Sequence, residues 1–582
     1  MKRRTRIALI IAAAVVVIFV VGIGLAVTFI NPNAFKPEIE AAALQATGKE
    51  LSLQGDLSLS FFPGLRLEAG PAELKDSPSF GSESFARVEK ISASVDLLPL
   101  FSGRAEVRAI TISGLRLKLA VNDKGAVNWA MPQKPKAATD PAPKPAPEPS
   151  PKPGGGKSAQ AALSAIALDS LVIEDTLVVY TDMRSKDSMR VAVPSFTLNS
   201  LKVGQKTTMK AEVAYTGPLA RPVTLALDAD FVLPASFVEG LTFNAKGKLD
   251  DTPFSCSGTA ALPETADGQL FSLKSDITVG ALDLDKYTAA MGSAKQAPPA
   301  AQKDATREKT GGKAPSGDEG LRTLLRTIFL DLRIAMESLT VAKVPVKNIK
   351  ASIKSDQGLL VAKPVTMTVA EGPVTLEASV DARGKDIRSR VTGDWKAAKV
   401  GSLLQAATGK TSLTGDLDAS WGLNLTGTAW PEAAKTLEGK ASANFTNGAM
   451  QGFKLIPSGI PGLPAHTMNL TNLRGSGTWN IAKGVAHNND LIAKAVGLDA
   501  VGTGKIDIPD QSLFYNVTVE LPTLPELPNL TVLPVVISGK FDSVSYGIDQ
   551  PALLRDTAKS ILDPTTKAGQ GIQRGIGKIF GR

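Results

Sequence analysis

The sequence predicts a mainly β protein tethered to a membrane by one N-terminal helix. Three observations carry this: long stretches alternate apolar with polar residues, the composition is glycine-rich and aromatic-poor, and one long run near the start carries no charge. Aromatic residues make up 5% of the 582, against 52 glycines and 38 prolines. That composition suits many strands with tight turns rather than a core filled by large rings.

The uncharged run is Ile7–Ile30, "IALIIAAAVVVIFVVGIGLAVTFI". As a helix it would be about 36 Å long, enough for a hydrocarbon core of ~30 Å. A cleaved signal peptide has a shorter apolar region and a small-residue cleavage site, and Phe29-Ile30-Asn31-Pro32 offers none. Lys2, Arg3, Arg4 and Arg6 precede the run and predict a cytoplasmic N-terminus, with the rest of the chain across the membrane.

A helix follows, from Asn31-Pro32 to about Thr47. Ile39, Ala42, Ala43 and Ala46 give it one face, and Gly48 stops it. Then the alternation begins. Leu51, Leu53, Leu57, Leu59 and Phe61 point one way, and Ser52, Gln54, Asp56, Ser58 and Ser60 the other. Gly55 interrupts the dry row, which predicts a bulge or a close backbone approach there. Leu65 and Leu67 continue the pattern, followed by Ile91, Ala93, Val95 and Leu97, by Ile110 and Ile112, and by Leu115, Leu117 and Leu119. The segment closes on "DKGAVNW", ending at Trp129.

Two segments break the pattern: the Pro/Ala/Lys-rich stretch within 132–162 and the Lys/Ala/Gly/Pro-rich 293–320. They divide the chain into a basic tail (1–6), the anchor (7–30), a first β region (31–131), a linker (132–162), a middle β region (163–292), a second linker (293–320), a last β region (321–550) and a basic tail (551–582). One phrase occurs twice: "TGKELSLQGDL" from Thr47 returns as "TGKTSLTGDL" from Thr408, each time after a helix-like stretch. The repetition predicts a helix that delivers the chain into a new series of strands.

No catalytic pattern emerges. There is no His-Glu-x-x-His and no Gly-x-Ser-x-Gly, and the two histidines, His466 and His487, and the lone Cys256 are too few for the usual zinc sites. "PGGGKSA" at 153–159 lacks the first glycine of a phosphate loop, since position 151 is Pro151, and it follows a proline-rich stretch rather than a strand. No cofactor is expected. The net charge of +9 sits largely at the ends, four cations in residues 1–30 and four in 565–582, so the body is nearly neutral and nucleic acid is not an expected partner. In the last segment Ile572, Ile576, Ile579 and Phe580 share a helical face with Arg574 and Lys578 beside them. This is either a small amphipathic membrane-contact helix or a frayed tail, because its glycines weaken a helix.

So much alternating strand creates a large dry face that something must cover. Protein could do so, as a second sheet in a sandwich or by rolling the sheet into a solenoid or barrel. Alternatively the sheet could curl into a trough whose lining of Leu, Val, Ile and Ala shelters hydrocarbon, at ~0.8 kcal/mol per buried methylene. Alternation alone fits both.

The ordered set of segments resembles the AsmA family of bacterial envelope proteins. The segments are "FKPEIEAAALQATGKELSLQGDLSLSFFPGL", "VDLLPLFSGRAEVRAITISGLRLKL", "GAVNW", "VGALDLDKY", "GKASANFTNGAMQGF", "GSGTWNIAKGVAHNNDLIAKAVGLDAVGTGKIDIPDQSL" and "LPVVISGKFDSVSYGID". The resemblance implies an elongated, curved antiparallel β-sheet groove with a few short helices and one transmembrane helix. It implies an inner-membrane protein whose bulk lies in the periplasm, with phospholipid as cargo and the outer membrane or one of its proteins at the far end. It brings no catalytic residues, no metal and no cofactor. On this reading the lipid-facing candidates are Leu51, Leu53, Leu57, Leu59, Phe61, Val95, Leu97, Ile110, Ile112, Leu115, Leu117 and Leu119, and the membrane-contact candidates are Ile572, Arg574, Ile576, Lys578, Ile579 and Phe580. The alternative role is a scaffold for outer-membrane proteins that pairs strands at a sheet edge.

Overall fold

The computed structural model describes residues 32–60, 65–81, 83–96, 107–129, 167–265, 268–269, 271–288, 317–430, 432–456, 466–520, 532–541, 543–549 and 551–552. The expected anchor and the C-terminal tail candidates lie outside them. Among the described residues no helix is long and apolar enough to cross a membrane. The chain divides into two units, Met1–Leu262 with Lys286–Ala300 and Pro263–Asp285 with Ala301–Arg582.

The first unit opens with helix α1, Lys36–Thr47, which has a proline in its first turn. Gly48 ends it in the left-handed region (φ 71°), where a Cβ would be strained, and its N–H closes the helix on the Leu44 carbonyl. Strands then follow in order: β1 Leu51–Leu53, β2 Leu57–Ser60, β3 Leu65–Ala69, β4 Ala72–Leu74, β5 Ala86–Val88, β6 Lys90–Val95, β7 Val107–Ser113 and β8 Arg116–Val121. After the first linker come β9 Ala167–Asp182, β10 Asp187–Lys202, β11 Lys206–Thr216, β12 Val223–Val232, β13 Leu241–Leu249 and β14 Thr252–Ala261.

The short early strands are halves of longer bent ones. Leu65 faces Val95 and Leu74 faces Ala86 in one unchanged register. Likewise Ala109 faces Ser170 and Val121 faces Asp182. Between the halves each strand carries an extra residue, so the apolar positions switch from Ile110 and Ile112 to Leu117 and Leu119. Stacked bulges of this kind bend a sheet while keeping one face dry. Gly55 and Gly70 sit back to back on the bend: a Cβ on Gly55 would lie 2.6 Å from the Gly70 Cα. The close approach expected at Gly55 is therefore made to another glycine. Gly114 (φ 69°) and Asp175 (φ 47°) mark the same bend further along.

From β9 to β14 each strand pairs antiparallel with the next. The pairing of β7 and β8 with β9 is parallel, which corrects the expectation of a purely antiparallel sheet. Alternation is the same in both kinds of ladder, so the residues gave no warning. The physical reason lies in the connection: parallel neighbours require the chain to return along the whole strand. Segment 122–166, which contains the proline-rich linker, supplies that length.

The second unit repeats the device. The pair β15 Glu264–Thr265 and β16 Gly268–Gln269 stands apart, and the main sheet starts with β17 Phe271–Asp283. Helix α2, Gly317–Thr327, enters β18 Ile328–Val341, which pairs parallel with β17 across the second linker. Residues 317–320, expected to belong to that linker, are the first turn of α2. The rest is an antiparallel meander: β19 Val344–Asp356, β20 Leu359–Val369, β21 Gly372–Asp381, β22 Arg388–Lys399, helix α3 Val400–Thr408, β23 Leu413–Thr426, β24 Glu438–Ile456, β25 His466–Ala482, β26 Val485–Ala495, β27 Leu498–Asp507, β28 Ser512–Glu520, β29 Val532–Lys540 and β30 Ser545–Ile548. Each unit is thus a mixed sheet with few helices.

The repeated phrase ends a helix in the same way in both copies, although its strand is broken at Gly55 in the first and continuous as β23 in the second. Thr47 Oγ1 donates to the Ala43 carbonyl and accepts from the Lys49 N–H, as Thr408 Oγ1 does with Leu404 and Lys410. Gly409 (φ 75°) stops α3 as Gly48 stops α1. The copies diverge at the lysine. Lys49 Nζ reaches Asp76 Oδ1 at 2.7 Å, with the Asp76 side chain 1% exposed, whereas Lys410 is exposed. Asp76 Oδ2 also accepts from Asn128 Nδ2 at 2.6 Å, and Asn128 Oδ1 accepts the Ala120 N–H. Lys49, Asp76 and Asn128 thereby join the end of α1, the end of β4 and the turn after β8.

Candidate functional site

In the first unit, rows of side chains cross the sheet on one face. Following register partners through β2, β3, β6, β7 and β9–β14 gives Leu59, Leu67, Ala93, Ile110, Leu171, Leu198, Met209, Ala229, Ala245 and Cys256. The neighbouring row is Leu57, Ala69, Ile91, Ile112, Ile173, Phe196, Ala211, Leu227, Gly247 and Phe254. No charged residue enters either row. The opposite face carries Lys210, Asp228 and Lys246 as cross-strand partners, all exposed and of alternating sign. Just past the ends of the rows, two residues before Ile110 and Leu171, Arg108 joins Asp96 (2.6 Å) and Asp169 (2.5 Å), and Asp169 also pairs with Lys202.

The dry rows are not sealed. In β9–β14 the large members Leu171, Ile173, Phe196, Met209, Leu227 and Phe254 are half-buried, with Leu198 the one large row member that is buried. An opposing protein layer would bring such residues below a few per cent exposure, as in any domain core. The contrast stands in the second unit, where Leu455, Ile456, Leu470, Leu498, Ala500, Val519 and Leu533 form a sealed cluster, Ile456 at 1% and Leu533 at 0%. There the sheet rolls on itself. Strands β24 and β30 are six ladder steps apart, about 29 Å in a flat sheet. Yet Tyr546 Oη donates to the Lys454 carbonyl at 3.1 Å. The question of trough against packed core is thus answered region by region: open along β9–β14, closed by protein along β24–β30.

Three aromatic side chains lie over glycines of the neighbouring strand. Phe254 is the register partner of Gly247, Trp421 of Gly393 and Tyr515 of Gly504. A Cβ on any of the three glycines would fall within 3 Å of that ring. A ring laid over a missing side chain does not stand up from the sheet, so the face stays clear. Trp479 Nε1 donates to Tyr515 Oη at 2.6 Å, which fixes the third of these rings against that of Trp479.

The electrostatics agree with a dry and a wet side. Burial pushes the Cys256 thiol up in the dry row. Asp182 and Asp381 are held down to about 2 by the side chains of Arg184 and Arg383, each two residues on in an exposed hairpin turn. Among the described residues no group of His, Cys, Asp and Glu could hold a metal ion.

The lipid-facing candidates fall on both sides of the bend. Leu59, Ile110 and Ile112 are half-buried row members, and Val95 pairs with Leu65 and Val107. Leu57 is sealed at 5% exposure and serves as floor. Beyond the bend Leu51 and Leu53 face Leu74 and Ala72, while Leu117 and Leu119 face Val178 and Tyr180. Leu115 sits on the bend itself, its carbonyl accepting the Leu177 N–H. Phe61 and Leu97 lie outside the described residues, as do Ile572, Arg574, Ile576, Lys578, Ile579 and Phe580. Row members in β9–β14 were absent from the sequence-derived set, although their alternation carries the same signal. What sequence could not supply was the register that lines them up.

Comparison with known proteins adds the relationship. The Protein AsmA of Escherichia coli (strain K12) is 26% identical over 125 residues, covering 22% of this chain and 20% of that protein. The aligned stretch thus spans about a fifth of that relative. No solved structure matches the chain. The model of the AsmA family matches residues 1–251 and 195–491, so it spans both linkers and extends from the first unit into the second as far as β26. The chain belongs to the AsmA family.

Proposed function

We propose that this protein is an inner-membrane-anchored, periplasmic lipid carrier whose open dry face shelters phospholipid acyl chains on their way between membranes, supporting outer-membrane integrity. The observation that carries the reading is the pair of uncharged rows, whose large members are mostly half-buried and have no opposing layer among the described residues, crossing strand after strand of the first unit. Hydrocarbon is the cover that fits, since each methylene it buries there contributes ~0.8 kcal/mol. Residues 7–30 serve as the anchor, with the basic end in the cytoplasm. The role needs no bond-making step and no cofactor.

The rival, strand pairing at a sheet edge, finds little to use. The edge formed by β1 and β2 is occupied: Glu40 Oε1 accepts the Leu53 N–H and Asn33 Oδ1 accepts the Leu57 N–H, both at 2.9 Å. In the second unit β30 pairs with Val535–Ser538 and the Asp549 N–H reaches the Pro534 carbonyl, so the edge left there is the four-residue β30, too short to hold much of a partner strand. A photo-reactive residue placed in turn along β12 in living cells separates the two. Adducts of phospholipid mass are expected at Leu225, Leu227 and Ala229 and not at Ala226 or Asp228. Protein adducts concentrated on β29 and β30, with no lipid adduct on β12, would favour the scaffold.

A further inference from the structure

Helix α1 buries none of its residues, although it is bonded to the sheet edge through Glu40 and, just before it, Asn33. Phe35 (56% exposed), Ile39 (38%), Ala42 and Ala46 are all exposed. Their spacing of four, three and four residues places them in one line along the helix. The half-buried positions Lys36, Ala43 and Thr47, with Glu40, lie on the side turned toward the sheet, so the apolar stripe runs beside the sheet contact. No charged residue interrupts it, and the other exposed large apolar side chain of the helix, Leu44 (50%), lies on the opposite side. Among the described residues nothing covers this stripe.

We propose that this stripe lies in the interfacial layer of the outer leaflet of the inner membrane, so that α1 seats the first strands of the sheet on the lipid surface. The argument is one of reach. The uncharged segment 7–30 ends five residues before Phe35, and five residues span at most about 18 Å fully extended. If that segment crosses the bilayer, as the proposed function holds, Phe35 cannot leave the neighbourhood of the headgroups. An apolar helical stripe held there partitions into the boundary between headgroups and acyl chains. Glu40 and Asn33 on the sheet side then hold β1 and β2, and with them the start of the dry rows, at the leaflet. A cargo chain would enter the dry face without first crossing water.

The test uses the full chain in vesicles of phosphatidylethanolamine and phosphatidylglycerol, with Cys256→Ser and one cysteine at a time at positions 35, 39, 41, 42, 45 and 46. Each cysteine carries a nitroxide, and its collision rates with oxygen and with a water-soluble nickel chelate are compared. All six positions are on the surface, so the substitutions do not disturb the fold. Labels at 35, 39, 42 and 46 are expected to favour oxygen, and labels at 41 and 45 the nickel chelate, giving a helical period. Equal access of nickel to all six would overturn the proposal. Shielding of the stripe from both reagents would overturn it too, by showing a protein cover. Release of the protein from the vesicles by alkaline carbonate would sink the anchor and the stripe together. Nickel-open labels on a carbonate-resistant protein would sink the stripe alone.

Discussion

Replacing Leu227 by aspartate is expected to strip the purified protein of phospholipid while leaving its sheet folded. Leu227 is half-buried in the dry row between Ala211 and Gly247, two neighbours too small to shield it. With the face empty, a carboxylate there keeps partial contact with water and disturbs little packing. With an acyl chain across it, the same carboxylate loses its hydration and gains no partner. Burying a polar group unpaired costs roughly 2 kcal/mol or more, which is over tenfold in occupancy. Mass spectrometry of organic extracts should show that loss against wild type, with an unchanged circular-dichroism spectrum. Asp228→Leu, one residue along on the wet face, should retain full lipid. Equal lipid in Leu227→Asp and wild type would mean that the row does not touch the cargo.

The second large effect is expected at Asp76. Asp76→Ala would leave the Lys49 ammonium in a site that is 14% exposed, with the Phe85 ring at 4.5 Å as its remaining neighbour of note. Removing one partner of a buried pair typically costs about 3–5 kcal/mol, because the other charge stays uncompensated. Asn128 would also lose one of its two acceptors while keeping the Lys118 carbonyl. Hydrogen exchange in β4, β5 and β8 should therefore quicken by two to three orders of magnitude. The double variant Lys49→Met, Asp76→Leu should recover most of the protection, since an apolar pair of similar size is often as stable as the ion pair it replaces. Lys410→Met, in the second copy of the phrase, should change nothing measurable, because Lys410 is exposed and has no such partner. Unchanged exchange in Asp76→Ala would show that the first copy is as unburdened as the second.

These two residues also show what the sequence could and could not tell. Leu227 stands in plain alternation, and period-2 patterning in "VTLALDADFV" assigns it to the dry face from local geometry alone. The helix stops at Gly48 and Gly409 were equally local, because a left-handed cap needs glycine whatever surrounds it. Gly55 announced a close approach, though not that Gly70 would be the other party. Asp76 carried no signal, since its burial depends on Lys49 and Asn128 arriving from distant parts of the chain. The parallel pairings of β9 and β18 were hidden for a related reason. Strand direction follows from the path of the connection, not from the strands. Closure was partly legible: Leu533 stands in the continuous apolar run of β29, which reads as a strand buried on both faces, whereas Leu227 alternates with polar residues, but the roll that brings Tyr546 to Lys454 was not legible.

Cys256, the chain's own single thiol, lies in the dry row opposite Ala245 and reads the cover of that row without any substitution. The measurement is its rate of modification by a charged, water-soluble maleimide at fixed pH, on protein as purified and again after its lipid has been extracted. The account predicts slow labelling before extraction and fast labelling after it. Equally slow labelling in both states would show that the polypeptide itself covers the row, and equally fast labelling that nothing does. Either result contradicts an open face sheltered by lipid.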